Sequence, residues 1–126
     1  MRTPPEGDDA EQPLRYRLDI SEAADAEVDT VYLWMGGRWG QARADRWYRG
    51  LWATCRNLLL FPRMGQMVAN QPETVRTLLY ERYRVLYRII EPDEGETEGQ
   101  IRILRVAHGS RLLSGISGDD TAEDAQ

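Results

Sequence analysis

Polar and apolar residues alternate over residues 14–20, where Leu14, Tyr16, Leu18 and Ile20 interleave with Arg15, Arg17 and Asp19. A period of two predicts a strand with one buried face. Ser21 then offers a helix N-cap, and Glu22 and Asp25 place negative charge in the first turn. Ala24, Val28, Val31 and Met35 recur at helical spacing, and Gly36-Gly37 is expected to stop the helix. A second helical stripe begins near Gln41 and runs through Ala44, Trp47, Tyr48, Leu51, Cys55, Leu58 and Leu59. The short connection implies an antiparallel helix pair, and Phe61-Pro62 is expected to end the second helix.

The period then changes. Residues 62–74 contain Pro62, Gly65, Asn70 and Pro72 and read as a loop. Residues 75–80 and 83–91 read as two strands joined by Glu81-Arg82, a tight turn without the usual Asn-Gly or Asp-Gly. Residues 92–99 form an acidic loop. Residues 100–108 read as a last strand whose alternation slips, with Ile101 and Ile103 on one parity and Leu104, Val106 and His108 on the other. Such a slip marks a central strand buried on both faces, or a bulge. The order strand, helix, helix, three strands predicts an α+β domain, with a helical hairpin packed on one face of a small, mostly antiparallel twisted sheet.

Composition changes this picture in two places. The chain has 126 residues and a net charge of −5. Residues 1–13 carry −3 and residues 113–126 carry −4, which leaves +2 on residues 14–112. The expected organisation is therefore one domain over 14–112 between two disordered acidic tails, 1–13 and 113–126. Every one of the 16 basic residues is arginine, a cation that forks onto phosphate or carboxylate and serves poorly as a base. The lone Cys55 excludes an internal disulfide and fits a small buried hydrophobe. No apolar run is long enough to span a bilayer, and the acidic start does not look like a signal peptide, so the expected compartment is the cytoplasm. One histidine and one cysteine do not build a standard zinc site, no glycine-rich phosphate loop is present, and no cofactor is expected.

Four segments, in order, carry a resemblance. They are "YRLDISEAADAEVDTVYLWM", "ARADRWYRGLWATCRNLLLFPRMG", "VRTLLYERYRVLYRII" and "IRILRVAHGSR". Together they resemble the RelE/ParE superfamily of bacterial type II toxins across residues 14–112. The resemblance implies a cytoplasmic toxin made beside an antitoxin that wraps and neutralises it. One branch cleaves mRNA on the ribosome. The other poisons DNA gyrase without nuclease chemistry.

RNA cleavage requires cations on the phosphate and groups that move protons. By the resemblance, Arg76 and Arg84 match positions where ribonuclease members carry functional arginines, and His108 matches a histidine near the end of the last strand. These three are the candidate catalytic residues if the chain is a ribonuclease. Strand parity is read as placing Arg76, Arg84 and Arg88 on one open sheet face, with Arg82 in the turn. The plainer alternative makes them solvated residues paired with Glu73 or Glu91. His108 is likewise either a proton carrier or a hydrogen-bonded structural residue.

Two departures favour the other branch. The chain lacks lysine, and Gly109-Ser110-Arg111 stands where ribonuclease members place a tyrosine. The expected function is thus a ParE-like toxin that binds DNA gyrase, with a ribosome-dependent mRNA endoribonuclease as the alternative. A non-toxic interaction module of the same fold is the third reading. Trp39, between the helices, is a candidate partner anchor, and the arginines of the second helix form a solvated face or a site for an acidic antitoxin or nucleic acid.

Overall fold

The computed structural model of the chain describes residues 15–109. Leu14, both acidic tails and the Ser110-Arg111 ending lie outside the described residues. β1 (Arg15–Ile20) leads into α1 (Glu22–Trp39) and α2 (Gln41–Arg56), followed by β2 (Gln66–Met67), β3 (Val75–Tyr80), β4 (Tyr83–Ile90) and β5 (Glu98–His108). The strands form one sheet of five in the order β1-β5-β4-β3-β2. β1 runs parallel to β5, and the other neighbours are antiparallel. The architecture is the α+β arrangement the periodicity predicts, a helical hairpin on a mixed sheet. No described helix is long and apolar enough to cross a membrane.

The main core lies between the hairpin and one sheet face. Val28, Met35, Trp47, Leu51 and Leu58 from the helical side meet Val85, Tyr87, Ile89, Ile101, Ile103 and Val106 from the sheet. Burying aliphatic and aromatic side chains of this size contributes about 1.5–3 kcal/mol each before entropy is counted. Cys55 lies on the buried stripe as expected, and burial pushes its thiol up to about 12. A smaller cluster on the opposite face joins Val75 and Leu86 to Val68, Leu104 and Ala107.

Local chemistry explains the element ends. The Ser21 hydroxyl accepts the Ala24 N–H at 3.0 Å and donates to the Leu104 carbonyl, tying the start of α1 to β5. Beyond Ile20, β5 loses its β1 partner. Glu27 of α1 covers that edge, accepting the Val106 N–H at 2.7 Å and the Arg105 guanidinium.

Some expectations need correction. Gly36-Gly37 does not stop α1, which continues to Trp39. Trp34 and Trp39 meet edge to face at 5.1 Å with Arg38 over both rings, so the last turn is held by contacts the glycines do not weaken. The chain reverses instead at Gly40, whose φ of +98° suits glycine. The α-helical part of the second helix ends at Arg56, before Phe61-Pro62, in a 3-10 turn over Asn57–Leu59. There the Asn57 carbonyl accepts the N–H groups of both Leu60 and Phe61. The loop 62–74 is also interrupted by β2, which pairs Gln66 with Thr77 and Met67 with Arg76.

Glu81-Arg82 is a true two-residue turn: Tyr80 pairs directly with Tyr83, and Glu81 takes φ +55° where glycine or asparagine is preferred. The slip in the last strand is a bulge. Leu86 opposes Arg105 while Tyr87 opposes Ile103, so Leu104 is the extra residue. The bulge lets Ile101, Ile103 and Val106 all face the helices despite their different parity.

Candidate functional site

Residues directly opposite in a sheet share a face. Arg76 opposes Tyr87, whose side chain is in the main core on the helix side. Arg84 opposes Leu79 and Ala107, and Arg88 opposes Val75 and Arg102, all on the open side. The expectation that Arg76 joins Arg84 and Arg88 is therefore overturned. The two-residue turn pairs even positions of β3 with odd positions of β4, so equal parity means opposite faces.

The surroundings of Arg76 show what it does there. Its Nε donates to the Glu73 carbonyl at 2.8 Å, and its Nη1 donates to the carbonyls of Arg63 and Gly65 at 3.3 and 3.0 Å. Its Nη2 meets the Glu73 carboxylate at 3.1 Å, and the side chain is only 13% exposed. This is the Glu73 pairing anticipated as the plainer alternative. Arg63 grips the same carboxylate with two bonds of 2.9 and 2.8 Å and reaches Glu91 at 3.2 Å. Glu91 in turn accepts the Tyr16 hydroxyl at 2.7 Å. The hydrogen bonds from Arg63, then those from Arg76, hold the Glu73 carboxyl down at about 2.

Tyr87 completes this clamp. Its hydroxyl donates to the Pro62 carbonyl at 2.7 Å and accepts the Gly65 N–H at 3.0 Å. Burial raises its pKa, which keeps the phenol protonated as a donor. The loop runs so close that a Cβ on Gly65 would lie 2.6 Å from the Thr77 carbonyl. Arg76, Arg63 and Tyr87 thus fasten the loop to the sheet. Arg63 escaped the sequence reading because a lone arginine after a proline has no periodic signal.

Arg84 and Arg88 have a different setting. Among the described residues, Arg84 makes only a long contact of 3.5 Å to the Thr77 hydroxyl. Arg88 is exposed and has no ion pair among the described residues. Arg102, beside it, is held by Asp19. These arginines share the open face with the exposed Leu79 and with the small buried cluster around Val75 and Leu86. The arrangement suits an anionic or mixed protein surface.

His108 lies elsewhere. It opposes Tyr83 on the helix side, their rings 6.0 Å apart, and lines a cavity with Trp34, Trp39 and Arg43. Arg76, Arg84 and His108 are therefore not brought together. Arg76 is fastened into the loop clamp, Arg84 faces the open side, and His108 faces the helical hairpin.

The family model that describes the ParE toxin of the type II toxin-antitoxin system, parDE, matches residues 18–113. The chain belongs to the ParE toxin family. The matched span starts within β1 and extends past β5, so it includes the arginine surface, the loop clamp and His108. Among solved structures, this ParE-family chain resembles the chromosomal ParDE toxin-antitoxin system from P. aeruginosa. The TM-score is 0.58 at 21% identity, over 75% of this chain and 96% of that one. The RelBE2 toxin-antitoxin complex from Mycobacterium tuberculosis is similar at a TM-score of 0.46 and 22% identity, over 75% of this chain and 99% of that one. No curated protein matches the sequence.

Proposed function

We propose that this ParE-family chain is the toxin of a type II module that stops growth by binding DNA gyrase in the cytoplasm, and that a cognate antitoxin neutralises it. One observation supports binding over RNA cleavage. Arg76 is engaged by Glu73 and by loop carbonyls, while Arg84 and His108 lie on opposite sides of the sheet. A phosphate held by Arg84 would have no histidine on its own face to move a proton. The open-face arginines instead suit a surface that holds a partner.

The test is induced expression with three readouts: growth, gyrase–DNA breaks and mapped mRNA ends. Growth arrest with accumulating gyrase–DNA breaks and intact mRNA is expected, relieved by the product of the adjacent gene. Ribosome-dependent mRNA cuts that vanish with Arg84→Ala would replace this reading with the endoribonuclease. Harmless expression with no binding neighbour would leave the non-toxic interaction module.

A further inference from the structure

At the tip of the helical hairpin, the end of α1 and the start of α2 approach the β3–β4 turn and the end of β5. Between them lies a cavity of about 570 Å³. Its volume is in the range of about 300–1,000 Å³ found for binding pockets. Tyr83 and the buried Met35 line it, and two indoles line its side. Those indoles, Trp34 and Trp39, are 50% and 51% exposed and lie against each other.

Cations surround this apolar wall. The Arg38 guanidinium sits 5.9 Å over Trp34 and 5.8 Å over Trp39, and Arg43 sits 5.4 Å over Trp39. A cation–π contact fixes a guanidinium without supplying an in-plane acceptor, so its N–H donors still need acceptors. Arg38 and Arg82 make no ion pair with any described residue, and Arg43 meets Glu81 only at 3.8 Å. The cavity is thus concave and apolar on its indole side; Arg43 and Arg82 line it together with Glu81 and His108, and Arg38 stands over the indoles, so solvent-facing guanidiniums outnumber the single carboxylate.

We infer that this cavity is an anchor site for an acidic peptide segment that inserts one aromatic or aliphatic side chain. The side chain fills the space beside Trp34, Trp39 and Tyr83, and flanking carboxylates take the forks of Arg38, Arg43 and Arg82. Charge complementarity selects an acidic partner. A nucleic acid fits less well. Bases need open aromatic faces to stack on, and here the indoles meet each other edge to face and carry guanidiniums over their rings. The site is separate from the open sheet face, so it stands whether or not gyrase is the target.

The experiment uses the full chain and fluorescein-labelled short peptides with one central Trp or Leu between Asp and Glu residues. Saturable binding by anisotropy is expected, and it disappears when the central residue is glycine. Trp39→Ala, and separately the double change Arg38→Gln with Arg82→Gln, should each weaken binding about tenfold or more, as for an interface anchor. The double change alters exposed side chains, so it keeps the test valid should Trp39→Ala impair folding; circular dichroism checks both. In a spectrum of the four tryptophan indole N–H groups, two signals, those of Trp34 and Trp39, should move on titration. Absence of saturation up to about 1 mM overturns the inference, as does affinity unchanged by the arginine variants. Tighter binding of a single-stranded oligonucleotide assigns the site to nucleic acid instead. Binding that appears only after residues 113–126 are removed makes the chain's own tail the occupant and overturns the partner reading.

Discussion

The two faces of the β3–β4 hairpin carry the same residue type in opposite roles. On the helix side, Arg76 sits beside Tyr87 with acceptors from Glu73, Arg63 and Gly65 around it. On the open side, Arg88 sits between Val75 and Arg102 with no carboxylate among the described residues. An arginine near the core must have its donors satisfied, because leaving charge unpaired at low dielectric is costly. An arginine on a solvated face need not, so its donors stay available to a partner. In this family member Arg76, a catalytic candidate by resemblance, fastens the loop to the sheet.

Both faces of the hairpin rest on the helix-side core. Trp47→Ala should destabilise the chain by about 3–5 kcal/mol by opening a cavity in the helix-side core, measured by urea unfolding. An effect below about 1 kcal/mol would mean that the hairpin is not seated on this core.

Next in size is the clamp itself. Arg76→Ala leaves the carbonyls of Arg63 and Gly65 without their donor and should cost about 2–4 kcal/mol. Tyr87→Phe, which removes only the hydroxyl shared by Pro62 and Gly65, should cost about 1–3 kcal/mol. Faster hydrogen exchange should appear first at the loop amides, Gly65 above all. If Arg76→Ala is neutral, the contrast between the faces fails.

A pH titration separates the same clamp without mutating an arginine. The Glu73 carboxyl is lowered from 4.5 to about 2, first by its hydrogen bonds to Arg63. Its contribution is therefore complete above the unfolded value near 4.5 and is lost as pH falls toward 2. The parent should unfold at higher urea than Glu73→Gln at pH 6, with the gap closing through this acid window. A gap that persists unchanged at the acid end would place the stabilisation on another group.

The smallest effect is expected on the open face. Arg88→Ala should change stability by less than about 0.5 kcal/mol while weakening partner binding. Loss of stability comparable to Arg76→Ala would show that both arginines are structural.

Much of the architecture could be read along the chain. The alternation of Tyr16, Leu18 and Ile20 and the stripe through Ala44, Trp47, Leu51 and Cys55 are local periods, and all of these side chains face the main core. The Ser21 cap and the irregular parity of the last strand were visible for the same reason. β2 was not visible, because two exposed residues, Gln66 and Met67, have no period to detect. Nor was the true stop at Gly40, since Gly36-Gly37 carries the stronger local signal and only the packing of Trp34, Arg38 and Trp39 overrides it.

The candidate site was less legible. Sequence by itself determined the element types, the helical hairpin over a sheet, and the supply of arginines without lysine. Only the tertiary structure decided which arginines remain available. The reason is physical: alternation within a strand follows from its covalent geometry, whereas the face shared between strands depends on register. Register here turns on the two-residue Glu81-Arg82 loop, expected from the sequence; the structure shows that it sets even positions of β3 against odd positions of β4. That one step puts Arg76 beside Tyr87 under the loop, leaves Arg84 and Arg88 facing outward, and separates both from His108.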